Sequence, residues 1–255
     1  MASMSDSRGI AVVTGATGGI GRALVDALVR DGCRVVGLGR DRERLDDLER
    51  EHASAPVTGL VCDITDEDDV AATFAELDPV SVLVNNAGIS ETAPVARTSL
   101  ADWEAHLRVN ATSAFLATRA VLPGMRDRDH GRVVFVASTA GLEGTRYTSA
   151  YTASKHAMLG LARSVAAEVA GTGVTSNAVC PTFVRSPMTE RSVARISGRT
   201  GRGVEEAEAA LATASPLGRL VEPAEVAAAV SYLASSHAAA VNGQSLIIDG
   251  GGIQR

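Results

Sequence analysis

Seven short β-branched runs alternating with longer amphipathic stretches predict an α/β fold, a parallel sheet covered by helices on both faces. Two further observations narrow this. A glycine-rich turn, Thr14-Gly15-Ala16-Thr17-Gly18-Gly19-Ile20-Gly21, joins the first strand directly to the first helix. No shift of composition, Ser/Pro linker or internal repeat divides the chain, so residues 1–255 read as one domain.

The strand candidates are Ile10–Thr14, Arg34–Leu38, Val57–Cys62, Val80–Val84, Arg132–Ala137, Val174–Val179 and Ser245–Ile248. Each is nearly continuous in apolar residues, as a strand buried on both faces must be. Between them, helical patterns span Gly19–Arg30, Arg42–Glu51, Glu67–Leu77, Leu100–Leu122, Ala150–Ala170 and Pro223–Ala234. Asp31-Gly32 closes the first helix with a glycine able to adopt positive φ. Pro223 suits a first helical turn, and Glu222 and Glu225 place negative charge near that helix's positive end. Residues 186–215 break the alternation. Three glycines and few large apolar residues there predict an irregular insertion acting as a substrate lid.

The strand ends carry the chemistry. Gly15, Thr17, Gly18, Gly19, Ile20 and Gly21 permit a tight turn and leave helix N-terminal N–H groups free for a pyrophosphate. The spacing is G-x-x-x-G-x-G, and a plain strand–helix connection would use the same residues. The second strand ends in Gly39-Arg40. A guanidinium there, with no carboxylate at the strand tip, favours the 2′-phosphate of NADPH over NADH, although Asp41 and Glu43 dilute the positive field. Asp63, with Ile64, ends the third strand, where it would contact an adenine ring or cap the helix beginning near Asp66. Asn85-Asn86-Ala87-Gly88 ends the fourth. There an amide can tie loops together, and small residues allow close ligand approach.

Tyr151 and Lys155 stand at i and i+4 on one helix face. A free tyrosine titrates near 10, and an ammonium one turn away lowers that value, making the phenol a usable acid or base. Among 24 basic residues, Lys155 is the single lysine, a compact charge where the chain elsewhere uses arginine. Ser138 follows the fifth strand at the same rim and could hold a carbonyl oxygen beside the phenol. Asn110 sits in an apolar helical stretch despite its poor helix propensity, which implies a local hydrogen-bonding role.

Taken in order, Thr14-Gly15-xxx-Gly19-Ile20-Gly21, Asp63, Asn85-Asn86-Ala87-Gly88, Asn110, Ser138 and Tyr151-xxx-Lys155 resemble the short-chain dehydrogenase/reductase family over essentially the whole chain. The resemblance implies a Rossmann-type, doubly wound sheet of seven parallel strands and hydride transfer with NAD(P). It implies that Tyr151 donates the proton in reduction, that Lys155 lowers the tyrosine pKa and holds the nicotinamide ribose, that Ser138 orients the carbonyl and that Asn110 holds a relay water. By the same token Pro181, Thr182 and Val184 would line the nicotinamide end, and the chain would form a homotetramer. The family's Pro-Gly after the sixth strand is Pro181-Thr182 here, and its nearby Thr is Ser186. The run from Tyr151 to His156, with Asn177-Ala-Val-Cys-Pro181, is similar to the aromatic polyketide ketoreductases.

The expected activity is therefore an NADPH-dependent ketoreductase acting on a β-keto acyl or polyketide-like ketone, small or carried on coenzyme A or an acyl carrier protein. An NAD-dependent alcohol or 3-hydroxyacyl dehydrogenase, and a non-catalytic dinucleotide sensor, stay open. Leu142, Tyr147, Phe183 and Met188 are candidate substrate lining. If 189–199 is helical, Arg191, Arg195 and Arg199 form a basic stripe for a carrier. A net charge of −6 argues against a nucleic-acid partner, and no apolar run reaches the roughly 18 residues of a membrane span. The N-terminal residues lack the apolar run of a signal peptide. Three distant cysteines and five histidines without ligand spacing predict neither disulfide nor metal, and the expected setting is the cytoplasm.

Overall fold

The computed structural model describes residues 9–213 and 215–254, with the side chain of Arg199 outside the description. One parallel sheet of seven strands runs through it in the order β3-β2-β1-β4-β5-β6-β7. The strands are β1 (Ile10–Thr14), β2 (Val35–Gly39), β3 (Val57–Val61), β4 (Val80–Asn85), β5 (Gly131–Val136), β6 (Val174–Pro181) and β7 (Ser245–Ile248). Strand order reverses between β1 and β4, so the loops after those strands part and leave a crevice at their C-terminal ends.

The two-residue period of a strand builds two cores. Ile10 and Val12 of β1 face one side with Leu83, Phe135 and Met158, whereas Ala11 and Val13 face the other with Leu24, Val84 and Val134. Helices α1 (Gly19–Arg30) and α9 (Pro223–Ala234) cover the second core; α3 (Glu67–Ala75), α5 (Ser113–Asp127) and α6 (Ser149–Glu168) cover the first. Helix α2 (Arg42–Glu51) lies over β2 and β3 at one edge. At α9 the Glu225 carboxylate accepts the Glu222 N–H at 2.8 Å and pairs with Arg219, holding it down at about 2. That box is the helix start expected from Pro223.

Two elements differ from expectation. The stretch expected as one helix, Leu100–Leu122, is α4 (Leu100–His106), a π-helical turn (Leu107–Thr112) and α5. Helix α5 also passes Pro123 and runs to Asp127, because Met125 is fully buried against Gly131 and tertiary packing outweighs the lost N–H. The second correction concerns residues 186–215, which are not irregular. They form α7 (Pro187–Thr200) and α8 (Val204–Ala212). The Ser186 hydroxyl caps α7 by accepting the Thr189 N–H, Pro187 opens its first turn, and Gly201 ends it at φ +72°. No helix among the described residues is long and apolar enough to cross a membrane.

Candidate active site

The crevice is a groove of about 480 Å³ running from Arg40 and Asp41 across the α1 N-terminus to Gly88 and Ile89. Gly15, Thr17, Gly18, Gly19, Ile20, Gly21, Arg40, Asp63, Ile64, Asn86, Ala87 and Gly88 all line it, as the sequence predicts. Its shape depends on missing side chains. Gly15 sits at φ +65°, and a Cβ there would lie 2.9 Å from the Ala87 backbone; one on Gly88 would lie 3.1 Å from Asn110 Oδ1. The Asn86 amide donates to the Thr14 and Gly15 carbonyls at 2.9 and 3.1 Å. Thr14 Oγ1 in turn accepts the Asn86 and Ala87 N–H groups at 3.0 and 3.1 Å. Thr14, absent from the expected site, is the hinge pin joining the two lips of the groove.

At the Arg40 end of the groove the three arginines divide. Arg42 is engaged by Asp46, Glu49 and the Gly59 carbonyl, whereas Arg40 and Arg44 face the groove. Asp63 does not cap α3, since Asp66 does so itself. The Asp63 carboxylate accepts the Thr65 N–H at 3.0 Å and hydroxyl at 2.7 Å, which holds it below the usual carboxylate range. Pro181, Thr182 and Val184 stand back from the groove wall. Pro181 pairs with β7, the Thr182 N–H donates to the Ile248 carbonyl, and Val184 is buried against Val221. Ser186, Pro187, Met188 and Arg191 form that wall instead. A Ser-Pro helix start followed by glycine was the available signal for them.

Beyond Gly88 the groove meets a buried polar cluster. Asn110, fully buried in the π turn, accepts the Ile89 N–H at 2.8 Å and donates to the Ile89 carbonyl at 3.0 Å and to Ser154 Oγ at 2.8 Å. The Tyr151 phenol lies near the Ser138 hydroxyl, whose influence acts to lower its pKa. Lys155 is 4% exposed; its Nζ donates to the Val136 carbonyl at 2.8 Å and lies 5.7 Å from the Tyr151 ring centre. A Cβ on Gly88 would lie 3.7 Å from that Nζ, so the lysine adjoins the groove end. Burial pushes the lysine down to about 8. The phenol departs from expectation: burial raises it above its ordinary value, and the Ser138 hydroxyl offsets only part of that. Beneath them the Cys180 thiol is pushed up to about 11 by burial and stays protonated.

The substrate-side expectations are met unevenly. Met188 lines the groove, Leu142 belongs to the core, Phe183 is partly buried, and Tyr147 is exposed at φ +66°. Arg191 and Arg195 do not form one basic stripe, because Arg191 faces the groove beside α1 while Arg195 is ion-paired with Glu91. The third member, Arg199, has its side chain outside the described residues. Among the described residues no cluster of His, Cys, Asp and Glu has the arrangement of a metal site.

Residues 9–196 match the family described as short chain dehydrogenase. A Streptomyces violaceoruber protein named "Granaticin polyketide synthase putative ketoacyl reductase 1" is 41% identical over 250 residues, covering 95% of this chain and 92% of that one. The 3-oxoacyl-(acyl-carrier-protein) reductase of Thermotoga maritima is 34% identical over 248 residues, covering 95% of this chain and 96% of its own. Among solved structures, a variant of actinorhodin polyketide ketoreductase with NADPH superposes with a TM-score of 0.92 at 36% identity, over 96% of this chain and 97% of the other.

Proposed function

The chain belongs to the short chain dehydrogenase family and is an oxidoreductase of the CH–OH/C=O couple; we propose that it works as an NADPH-dependent ketoreductase on β-keto acyl or polyketide-like ketones. The observation that carries this reading is the meeting of the Ser138–Tyr151 pair, Lys155 and Asn110 with the end of a glycine-built groove. The groove fits a nicotinamide dinucleotide. Its glycines leave room where a Cβ would collide, and free N–H groups at the α1 N-terminus suit a pyrophosphate. Arg40 and Arg44 would hold a 2′-phosphate, Asp63 the adenine edge, and Gly88 with Ser186–Met188 the nicotinamide end. When bound, that group supplies the hydride.

The chain's own residues manage the proton. Ser138 Oγ accepts the Ala140 N–H at 3.1 Å, which aims its hydroxyl at the phenol and at a carbonyl oxygen placed between them. Tyr151, kept protonated by burial, donates its proton to that oxygen as charge develops. Lys155 is mostly an ammonium at neutral pH, so it would stabilise the phenolate left behind and, with the cofactor bound, would donate to its ribose hydroxyls. Asn110, its amide fixed by Ile89 and Ser154, holds the groove end, beside which a relay water would sit. The site is built within one domain. Carriage on coenzyme A or an acyl carrier protein, a homotetrameric assembly and a cytoplasmic setting complete the proposal.

Steady-state assays of β-keto thioesters, cyclic ketones and sugars, each with NADPH and NADH, test the reading, with Tyr151→Phe as the control. The expected result is ketone reduction favouring NADPH, with turnover in the variant at least about a hundredfold lower and NADPH affinity unchanged. Tight NADPH binding without turnover of any carbonyl would instead support a dinucleotide sensor.

A further inference from the structure

One buried imidazole takes no part in that chemistry. His106, the last residue of α4, is 2% exposed, and both of its ring nitrogens are engaged. Nδ1 lies 2.7 Å from the Asp102 carbonyl, to which it can only donate. Nε2 lies 2.9 Å from the Glu91 backbone nitrogen, whose N–H it accepts. These two partners fix a single neutral tautomer.

Asn110 stands one turn beyond His106 and grips Ile89 by both backbone groups. The helix therefore holds the segment after β4 at two points two residues apart, Ile89 through an amide and Glu91 through an imidazole. The Glu91 side chain is held from the other direction. Its carboxylate pairs with Arg195 of α7, whose Nη1 also lies 3.3 Å from Thr92 Oγ1. The segment begins at Gly88, beside Lys155, and ends at Ala93, whose N–H donates to the Tyr147 carbonyl at 2.9 Å, four residues before Tyr151. It thus borders the space a ketone must enter. A cavity of about 280 Å³ between the segment, α4 and α7 is lined by Glu91, Asp102, His106, Tyr147 and Arg195. The tie therefore spans a gap that dense packing does not fill.

We propose that His106 is a positioning residue that fixes the Glu91 backbone, aims its carboxylate at Arg195, and so docks α7 across the substrate side of the cleft as a determinant of ketone size. This rests on the ketoreductase reading above. A docked α7 closes on a short ketone, and an undocked one leaves it loosely held while admitting a bulky one.

The test compares His106→Phe, similar in bulk but unable to accept, with His106→Gln, whose carbonyl can. A short β-keto thioester and a bicyclic ketone serve as substrates with NADPH, and amide hydrogen exchange at Glu91 is followed in parallel. In His106→Phe, the expected result is faster Glu91 exchange, a KM for the short ketone about tenfold higher, and little change in kcat. The kcat/KM ratio then shifts by about tenfold toward the bicyclic ketone. His106→Gln stays within about threefold of the parent on each measure. Glu91→Gln reproduces the selectivity shift, and combining it with His106→Phe adds little, since both break one relay. Equal shifts in the Phe and Gln variants would reduce His106 to a packing residue, and faster exchange with unchanged selectivity would remove the specificity role. Absent ketone turnover in the parent protein counts against the ketoreductase reading, whereas unchanged Glu91 exchange in His106→Phe counts against this proposal.

Discussion

The two halves of the cleft are built from different materials. From β1 to β4 the wall is mostly backbone: glycines at Gly15, Gly18, Gly19, Gly21 and Gly88, with Thr14 and Asn86 stitching one loop to the next. From α4 to α6 it is a set of buried polar side chains, Asn110, Ser138, Ser154 and Lys155, of which Asn110, Ser154 and Lys155 bond to partners far away in sequence. A dinucleotide is large and presents much the same phosphates and ribose each time, so a fixed cradle with no side chains in the way suffices. A proton donor has to be kept in one protonation state in a nearly dry site, and only particular side chains can do that. Substitutions should therefore fail in opposite ways. In the first half they disturb shape, and in the second they disturb charge.

Lys155→Met should show this most sharply. The ammonium sits buried with a carbonyl and the Met158 sulfur as its hydrogen-bond partners, and its drop from 10.5 to about 8 corresponds to a burial penalty of roughly 3 kcal/mol. Turnover should fall by at least about a hundredfold. Stability at pH 7 should nevertheless rise by about 1–2 kcal/mol, because methionine fills the space without a charge, less the lost hydrogen bond to Val136. The sign follows from linkage. A lysine with a depressed folded pKa weakens the fold fully below about pH 8, and that penalty disappears as the pH climbs toward 10.5. Denaturant melts at pH 7 and above pH 10 should show the advantage of the variant shrinking. A variant less stable than the parent at pH 7 would mean that the lysine supports the fold.

Gly15→Ala probes the other half. Positive φ and a contact of 2.9 Å with the Ala87 backbone leave the new Cβ no room without moving one lip of the groove. We expect a stability loss of about 1–3 kcal/mol and a fall in NADPH affinity of about tenfold or more, read by fluorescence titration. The Ser138–Tyr151 pair lies outside the disturbed loops, so turnover at saturating NADPH should hold within about threefold.

The same contrast explains what could be read without coordinates. The backbone-built half was almost fully legible, since strand periodicity and glycine spacing are local signals, and each predicted groove residue up to Gly88 is in place. Of the polar residues of the other half, Asn110, Ser138 and Lys155 could be named and Ser154 could not, and the wiring of none was legible. Nothing local says that Lys155 turns to the Val136 carbonyl, or that burial outweighs Ser138 in setting the Tyr151 phenol. His106 was missed for the same reason, because its acceptor role depends on a loop fifteen residues earlier. Residues 186–215 differ for another reason: their three glycines suggest irregularity, although Ser186-Pro187 and Gly201 are a helix start and stop. Ser186, Pro187 and Met188 line the groove without having been named as cofactor-binding positions from the sequence.

Charge at the adenosine end allows a finer division within the first half. Arg40 faces the groove with no carboxylate bonded to it, so Arg40→Ala should weaken NADPH by about tenfold and leave NADH nearly unchanged. Arg42, two residues on, offers the opposite expectation despite equal charge. Its Nε lies 2.7 Å from Asp46, its Nη1 2.8 Å from the Gly59 carbonyl, and its Nη2 3.2 Å from Glu49. A guanidinium held at every donor nitrogen has none left to turn toward a phosphate, and its field is largely cancelled by the two acids. Arg42→Ala should therefore lower the melting temperature slightly and keep the ratio of NADPH to NADH affinity within about twofold. If it matched Arg40→Ala in losing NADPH, the preference would come from the summed charge of the helix start, and the geometry of a single arginine at the strand tip would cease to matter.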